Sequence, residues 1–221
     1  MRLILIRHGQ TPANVDGILE STVPGPGLTA LGQQQAEQLP ATLDGVPIDA
    51  LFVSSMVRTH LTAAPLAGAR GLVPVERPGL REIAAGDVEG NTDDASIHQY
   101  VSTLFAWCGG DLDVRMPGAQ DGHEVIARFD EVVAEAESLG VDAVALVSHG
   151  AMIRAWTAVR TVNVDLDFVT DHYVPNTGVV IVDGSTADGW QVTSWLGESV
   201  SEAASHDVTS DHSPASEPLD D

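Results

Sequence analysis

Two short stretches hold residue types that could do chemistry together. Leu3-Ile4-Leu5-Ile6 is an apolar run that stops at Arg7-His8-Gly9. Ala143-Val144-Ala145-Leu146-Val147-Ser148 stops in the same way at His149-Gly150. Short apolar runs bounded by breakers read as buried strands. A guanidinium presents a planar fork of donors to an oxyanion. An imidazole can attack as a nucleophile or carry a proton near neutral pH. Gly9 lets the backbone turn away and lets an anion approach. Open α/β sheets bind ligands at the carboxyl ends of their strands. If the two strands are parallel neighbours, both imidazoles emerge at one sheet edge. A lone histidine is most often structural, but two in matching settings point to an anion site.

Composition narrows the partners. The chain has 221 residues, enough for one domain with a sizeable core. Its formal net charge is -22, and all ten basic residues are arginine. That balance disfavours nucleic acid and anionic membranes. An anion site must therefore be a local positive pocket, built from arginines such as Arg7 and a donating histidine. The one cysteine, Cys108, excludes an intrachain disulfide and reads as packing beside Phe105 and Trp107. Met1-Arg2 leads straight into a strand, so no leader peptide is expected. No apolar run approaches membrane-spanning length. A cytoplasmic protein is the expectation, with a homodimer left open.

The remaining elements must carry and cover the site. Thr11 to Gly27 reads as a Gly- and Pro-rich loop carrying Asn14. A helix opens at Leu28 with Thr29 as N-cap, and Pro40 should disturb its last turn. Ala50 to Val53 is a strand. Ser54-Ser55 is expected to cap the next helix, which places Arg58 in the first turn. A cation there opposes the helix dipole and makes sense if an anion compensates it. Val73 to Val75 reads as an edge strand, and Pro78 to Gly90 as a loop holding Arg81, Glu82, Asp87 and Glu89. Arg81 could pair with an acid or flank the pocket. Helices follow over Asp94 to Trp107 and from a capping box at Asp121 and Glu124 to about Leu139. Ala151 to Arg160 is helical, and Val164 to Phe168 a helical turn. Two final strands, Val179 to Val182 and Trp190 to Leu196, should form an antiparallel hairpin. From Glu198 the chain turns Ser-rich and acidic, which reads as a disordered tail over 198–221.

In order along the chain, Arg7-His8-Gly9, Arg58 after a strand, Leu80-Arg81-Glu82 with Glu89-Gly90, and Ser148-His149-Gly150 resemble the histidine phosphatase superfamily, the phosphoglycerate mutase-like proteins. The resemblance covers residues 1–197. It implies a three-layer α/β/α sandwich with a mostly parallel central sheet and an antiparallel edge. It also implies His8 as the phosphoryl-accepting nucleophile, Glu82 as proton donor and His149 as a second catalytic imidazole. Arg7, Arg58, Asn14 and Gly150 would form the phosphate-binding set. Where many relatives carry Pro-Gly-Gly-Glu-Ser, this chain has Pro117-Gly118-Ala119-Gln120-Asp121, so His123 could face the pocket or simply open a helix.

The resemblance thus implies hydrolysis of a small phosphorylated metabolite, with no metal and no cofactor. No His-Glu-x-x-His helix or carboxylate cluster with ligand spacing occurs. Two alternatives stand beside it: phosphoglycerate mutase-type transfer, and a non-catalytic phosphoprotein-binding module. The stretch from Asn91 to Arg115 is short and has no basic residue before Arg115, which favours hydrolysis over a mutase's double-anion clamp.

Overall fold

In β1 (Arg2–Arg7), Leu3 and Leu5 leave one face of the strand while Ile4 and Ile6 leave the other. All four are fully buried, so the sheet must be covered on both sides. The computed structural model, which describes residues 1–203, shows how. The other strands are β2 (Ala50–Val53), β3 (Val75–Glu76), β4 (Ala143–Ser148), β5 (Val179–Ser185) and β6 (Gly189–Trp195). Their order across the sheet is β3-β2-β4-β1-β5-β6. The first four in that order run parallel, and β5 and β6 add an antiparallel edge.

One face is covered by α2 (Ala30–Thr42) and α3 (Val57–Arg70), whose Leu39, Ala63 and Leu66 pack on Ile4, Ile6, Val53 and Val147. The other face carries α4 (Asp94–Cys108), α5 (Gly122–Ser138), α6 (Gly150–Arg160) and α7 (Leu166–Asp171). There Trp107, Phe129 and Trp156 pack over Leu3, Leu5 and Leu146. Burial of each such side chain contributes about 1.5–3 kcal/mol. The expected three-layer sandwich is observed.

Several local expectations are corrected. The 11–27 loop contains a short helix, α1 (Pro12–Asp16), because Thr11 and Asn14 close a capping box. Pro40 falls in the last turn of α2, where it was expected, and the helix ends two residues on, at Thr42. Ser54 and Ser55 do not cap α3; its N-cap is Met56, without a side-chain cap. The Ser54 hydroxyl instead meets a histidine ring and accepts from the Met56 N–H. The helical turn expected from Val164 begins at Leu166, with Asp165 as its cap. The expected tail starts with a helical turn, α8 (Val200–Ala203), whose Ala203 is buried and accepts from His172 Nε2. The rest of the expected tail lies outside the described residues.

The Arg-His-Gly turn is pinned to the start of α2 through two glycines. A Cβ on Gly32 would lie 2.1 Å from Gln10 O, and one on Gly9 would lie 2.6 Å from Gly32 O. Gly68, on the exposed side of α3, meets nothing. Gly32→Ala should therefore destabilise the fold by about 1–3 kcal/mol through overpacking. Gly68→Ala should stabilise it by about 1 kcal/mol through helix propensity. Denaturant titration of both variants checks the pair.

Candidate active site

β1 and β4 are adjacent, parallel and in the register Arg7–Ser148. His8 and His149 therefore leave the sheet side by side, with ring centroids 5.1 Å apart. The His8 backbone is fixed on both sides: its N–H donates to Ser148 O at 3.1 Å, and its carbonyl accepts from Asn176 Nδ2 and Thr177 N. Gly9 N–H donates to Thr62 Oγ1 of α3. The sheet edge and the first helical layer thus hold one turn.

The His8 ring is 3% exposed. Its Nδ1 lies 2.8 Å from Gly9 O. A carbonyl oxygen only accepts, so Nδ1 carries the proton and Nε2 is left as the basic nitrogen. Burial, followed by the charges of Arg58 and Arg7, lowers the His8 pKa well below the ordinary 6.5. The ring is consequently neutral near pH 7.

Arg7 is buried and donates from Nη1 to Val174 O at 2.7 Å. A Cβ on Gly150 would stand 3.1 Å from Arg7 Nε, so Gly150 makes room for the guanidinium. Arg58, in the first turn of α3, donates from Nε to His149 Nδ1 at 3.3 Å. Its Nη1 and Nη2 donate to Glu20 Oε2 at 2.5 Å and Glu20 O at 3.1 Å. The anion expected to compensate Arg58 is present within the chain, as Glu20. Gly25, at φ +67°, lets the loop pass close to this pair.

His149 is fully buried behind the cleft. Arginine only donates, so His149 Nδ1 is the acceptor and Nε2 donates to Ser54 Oγ at 2.9 Å. Burial comes first, and Arg58, His8, Arg128 and Arg7 follow, in holding its pKa well below the ordinary value. Both nitrogens are engaged, so His149 supports Arg58 from behind and does not line the cleft.

Arg7, His8, Asn14, Arg58, Glu82 and Gly150 do line one cleft, together with Glu20, Ser21 and Tyr100. The Glu82 carboxylate accepts from Ile83 N at 2.9 Å, Met152 N at 3.0 Å and Ala151 N at 3.3 Å. The first amides of α6 are therefore taken by Glu82. Arg128 of α5 holds the Glu82 backbone, donating to Gly79 O, Arg81 O and Glu82 O. Asn14 Oδ1 accepts from Thr11 N and Asn176 Nδ2, so it shapes the turn as well as bordering the cleft. The Tyr100 hydroxyl donates to Ile83 O; burial, then the charges of Glu82 and Glu89, raises its pKa and keeps it protonated. His123 is exposed beside Asp113, away from the cleft. Glu89 accepts from Ser21 N at 2.7 Å and from the Ser21 hydroxyl, clamping the loop above.

Residues 3–197 match the family model of the histidine phosphatase superfamily (branch 1). The chain belongs to that superfamily. Within it, the chain is 36% identical over 218 residues to the PE-PGRS family protein PE_PGRS11 of Mycobacterium tuberculosis. That match covers 90% of this chain but only 37% of the longer relative. It is 32% identical over 155 residues to the adenosylcobalamin/alpha-ribazole phosphatase of Escherichia coli, covering 69% of this chain and 75% of that one. Among solved structures, a mycobacterial glucosyl-3-phosphoglycerate phosphatase superposes with a TM-score of 0.74 at 26% identity, covering 89% of this chain and 99% of that one.

Four contributors to this histidine phosphatase site were not picked out by sequence reasoning. Glu20 sits in a loop with no periodic signal. Ser54 looked like a cap. Tyr100 falls among the apolar positions of α4. Arg128 did leave a trace, because it interrupts the buried stripe of Val125, Phe129 and Val132 on α5.

The burial of His8 between two guanidiniums has a measurable consequence. Protonation would add a third cation, so acid beyond the ordinary histidine range is required. Nitrogen-15 NMR should show His8 as the neutral, Nδ1-protonated tautomer at pH 7, titrating only below 6.5. The acid limb of kcat/KM assigned to this ring should lie on the same side.

Proposed function

We propose that this protein is a phosphomonoesterase acting on a small phosphorylated metabolite through a phosphohistidine at His8 Nε2. The observation that carries the proposal is the buried, neutral His8 ring, with Nδ1 tied to Gly9 O and two guanidinium groups beside it. The family and its phosphatase-named relatives support the same reading.

The Nε2 lone pair attacks phosphorus in line as the ester P–O bond breaks. Arg7 and Arg58 stabilise the charge on the non-bridging oxygens, with Asn14 and Gly150 completing the oxyanion's surroundings. Glu82, as the carboxylic acid, gives its proton to the departing alkoxide. Water then attacks phosphorus as the P–N bond breaks and gives its proton to the Glu82 carboxylate, releasing phosphate and neutral His8. His149 keeps Arg58 aimed by accepting its Nε–H. No step calls for a metal, and the described residues include no cluster of three or more His, Cys, Asp or Glu placed to hold one.

Mutase-type transfer is the second reading, since a probable phosphoglycerate mutase of Enterobacter is also similar, at 29% identity over 151 residues. Hydrolysis is favoured because Arg115, the first basic residue after Asn91, lies outside the cleft and is paired with Asp121 and Glu124. A cytoplasmic setting accompanies the proposal. It suits the single cysteine, Cys108, whose buried thiol is raised to about 12 and is inert. No helix among the described residues is long and apolar enough to cross a membrane.

A panel of phosphometabolites assayed for free phosphate tests this. His8→Ala should abolish release, and a chelator should leave the wild-type rate intact. Glu82→Gln should slow alkyl phosphates by roughly 10²–10⁴-fold and aryl phosphates much less. Equal slowing of both removes the proton-donor role. Isomerised phosphoglycerate without phosphate release would favour the mutase.

A further inference from the structure

The leaving group must meet Glu82, and on the proposed phosphatase reading that decides where the rest of the substrate lies. Glu82 borders two spaces. One is the cleft at His8. The other is a larger hollow of about 1250 Å³, open to solvent, between the Ser21–Val23 loop, the 78–84 segment and α5. Ser21 and Glu82 line both. With phosphorus at His8, the alcohol portion extends past Glu82 into the second hollow.

Three arginines line that hollow, and two are already committed. Arg77 closes its fork on Glu135. Arg128 donates to three backbone carbonyls. Arg81 differs. Its Nε donates to the Ser55 hydroxyl, which fixes the plane of the guanidinium. Among the described residues no carboxylate lies within ion-pair reach of it, and neither Nη has a protein partner. Arg70 and Arg128 are also half-buried without a carboxylate, but both spend Nη groups on backbone carbonyls, which Arg81 does not. Of the carboxylates on the far wall, Glu135 is neutralised by Arg77 and Glu131 is exposed at the rim.

We propose that Arg81 binds a second anionic group on the alcohol side of the scissile ester. The favoured substrates are then phosphomonoesters whose leaving alcohol carries a carboxylate or a further phosphate. The Ser55 bond holds one edge of the guanidinium and leaves the Nη edge for a two-point contact with the anion. The overall negative field repels such substrates at a distance, so a dedicated local cation is what selecting them requires.

The test compares three alkyl phosphates that differ only at one position of the alcohol: carboxylate, phosphate and neutral carboxamide. Wild-type kcat/KM should favour at least one anionic substrate over the carboxamide by about tenfold, the scale of one charge-assisted contact. Arg81→Gln should bring the ratio near one, mainly through KM for the anionic substrate. Arg81→Lys, which keeps the charge without the fork, should retain part of the preference. The arm that prefers carboxylate or phosphate names the source. A wild-type ratio near one, or proportional loss on all three substrates in Arg81→Gln, overturns the proposal. Absence of His8-dependent hydrolysis of any of the three would instead overturn the phosphatase reading itself.

Discussion

Two strands distant in sequence lie side by side with Arg7 opposite Ser148, and the site follows from that register. Shifting β1 by one residue against β4 would send Leu3, Ile4, Leu5 and Ile6 to the wrong faces. Leu3 and Leu5 belong to one core and Ile4 and Ile6 to the other, so a slip would have to repack both. The same constraint fixes His8 and His149 at one height on the sheet edge. Gly9 and Gly32 then hold the turn after His8 against α2 with backbone contacts that leave no space for a side chain. The position of His8 is thus a by-product of hydrophobic packing on both faces of a parallel sheet.

Electrostatics makes the position useful. Arg7, Arg58, His8 and His149 are crowded together with little water, and so many cations cannot coexist there. The structure resolves this in two ways. Both imidazoles are held neutral, as burial and the guanidinium charges require. The arginines are given oxygen partners: Val174 O for Arg7, and the side chain and carbonyl of Glu20 for Arg58. The site is therefore poised for an anion while the molecule as a whole carries a formal charge of -22. Local arrangement outweighs net charge because the pocket is buried and the surplus acids are dispersed over the surface.

The legible part of the molecule is the part written in pattern. Apolar runs ending at breakers gave β1 and β4, and apolar residues followed by an acidic, Gly-containing turn gave the β5–β6 hairpin. Cap chemistry located α5 through Asp121 and Glu124, and α2 through Thr29. Where a residue had two uses, local reasoning chose the local one. Ser54 reads as a helix cap, but its hydroxyl oxygen is taken by the buried His149 Nε2 and by Met56 N, one residue before α3 begins. Glu20 could not be found from sequence at all, because its role exists only where the loop folds back over Arg58. His149 was found, yet its place behind the cleft reflects bonds to Ser54 and Arg58 that spacing alone does not encode.

The central claim is that the neutral His8 ring takes the phosphoryl group itself. The direct measurement is an alkaline quench during steady-state turnover of a labelled phosphomonoester, followed by peptide mapping of the bound label. Alkali preserves a phosphohistidine, and the label should map to His8 and disappear in a Glu82-intact His8→Gln variant. Rapid turnover with no label on the protein, or with the label on any other residue, would contradict the account.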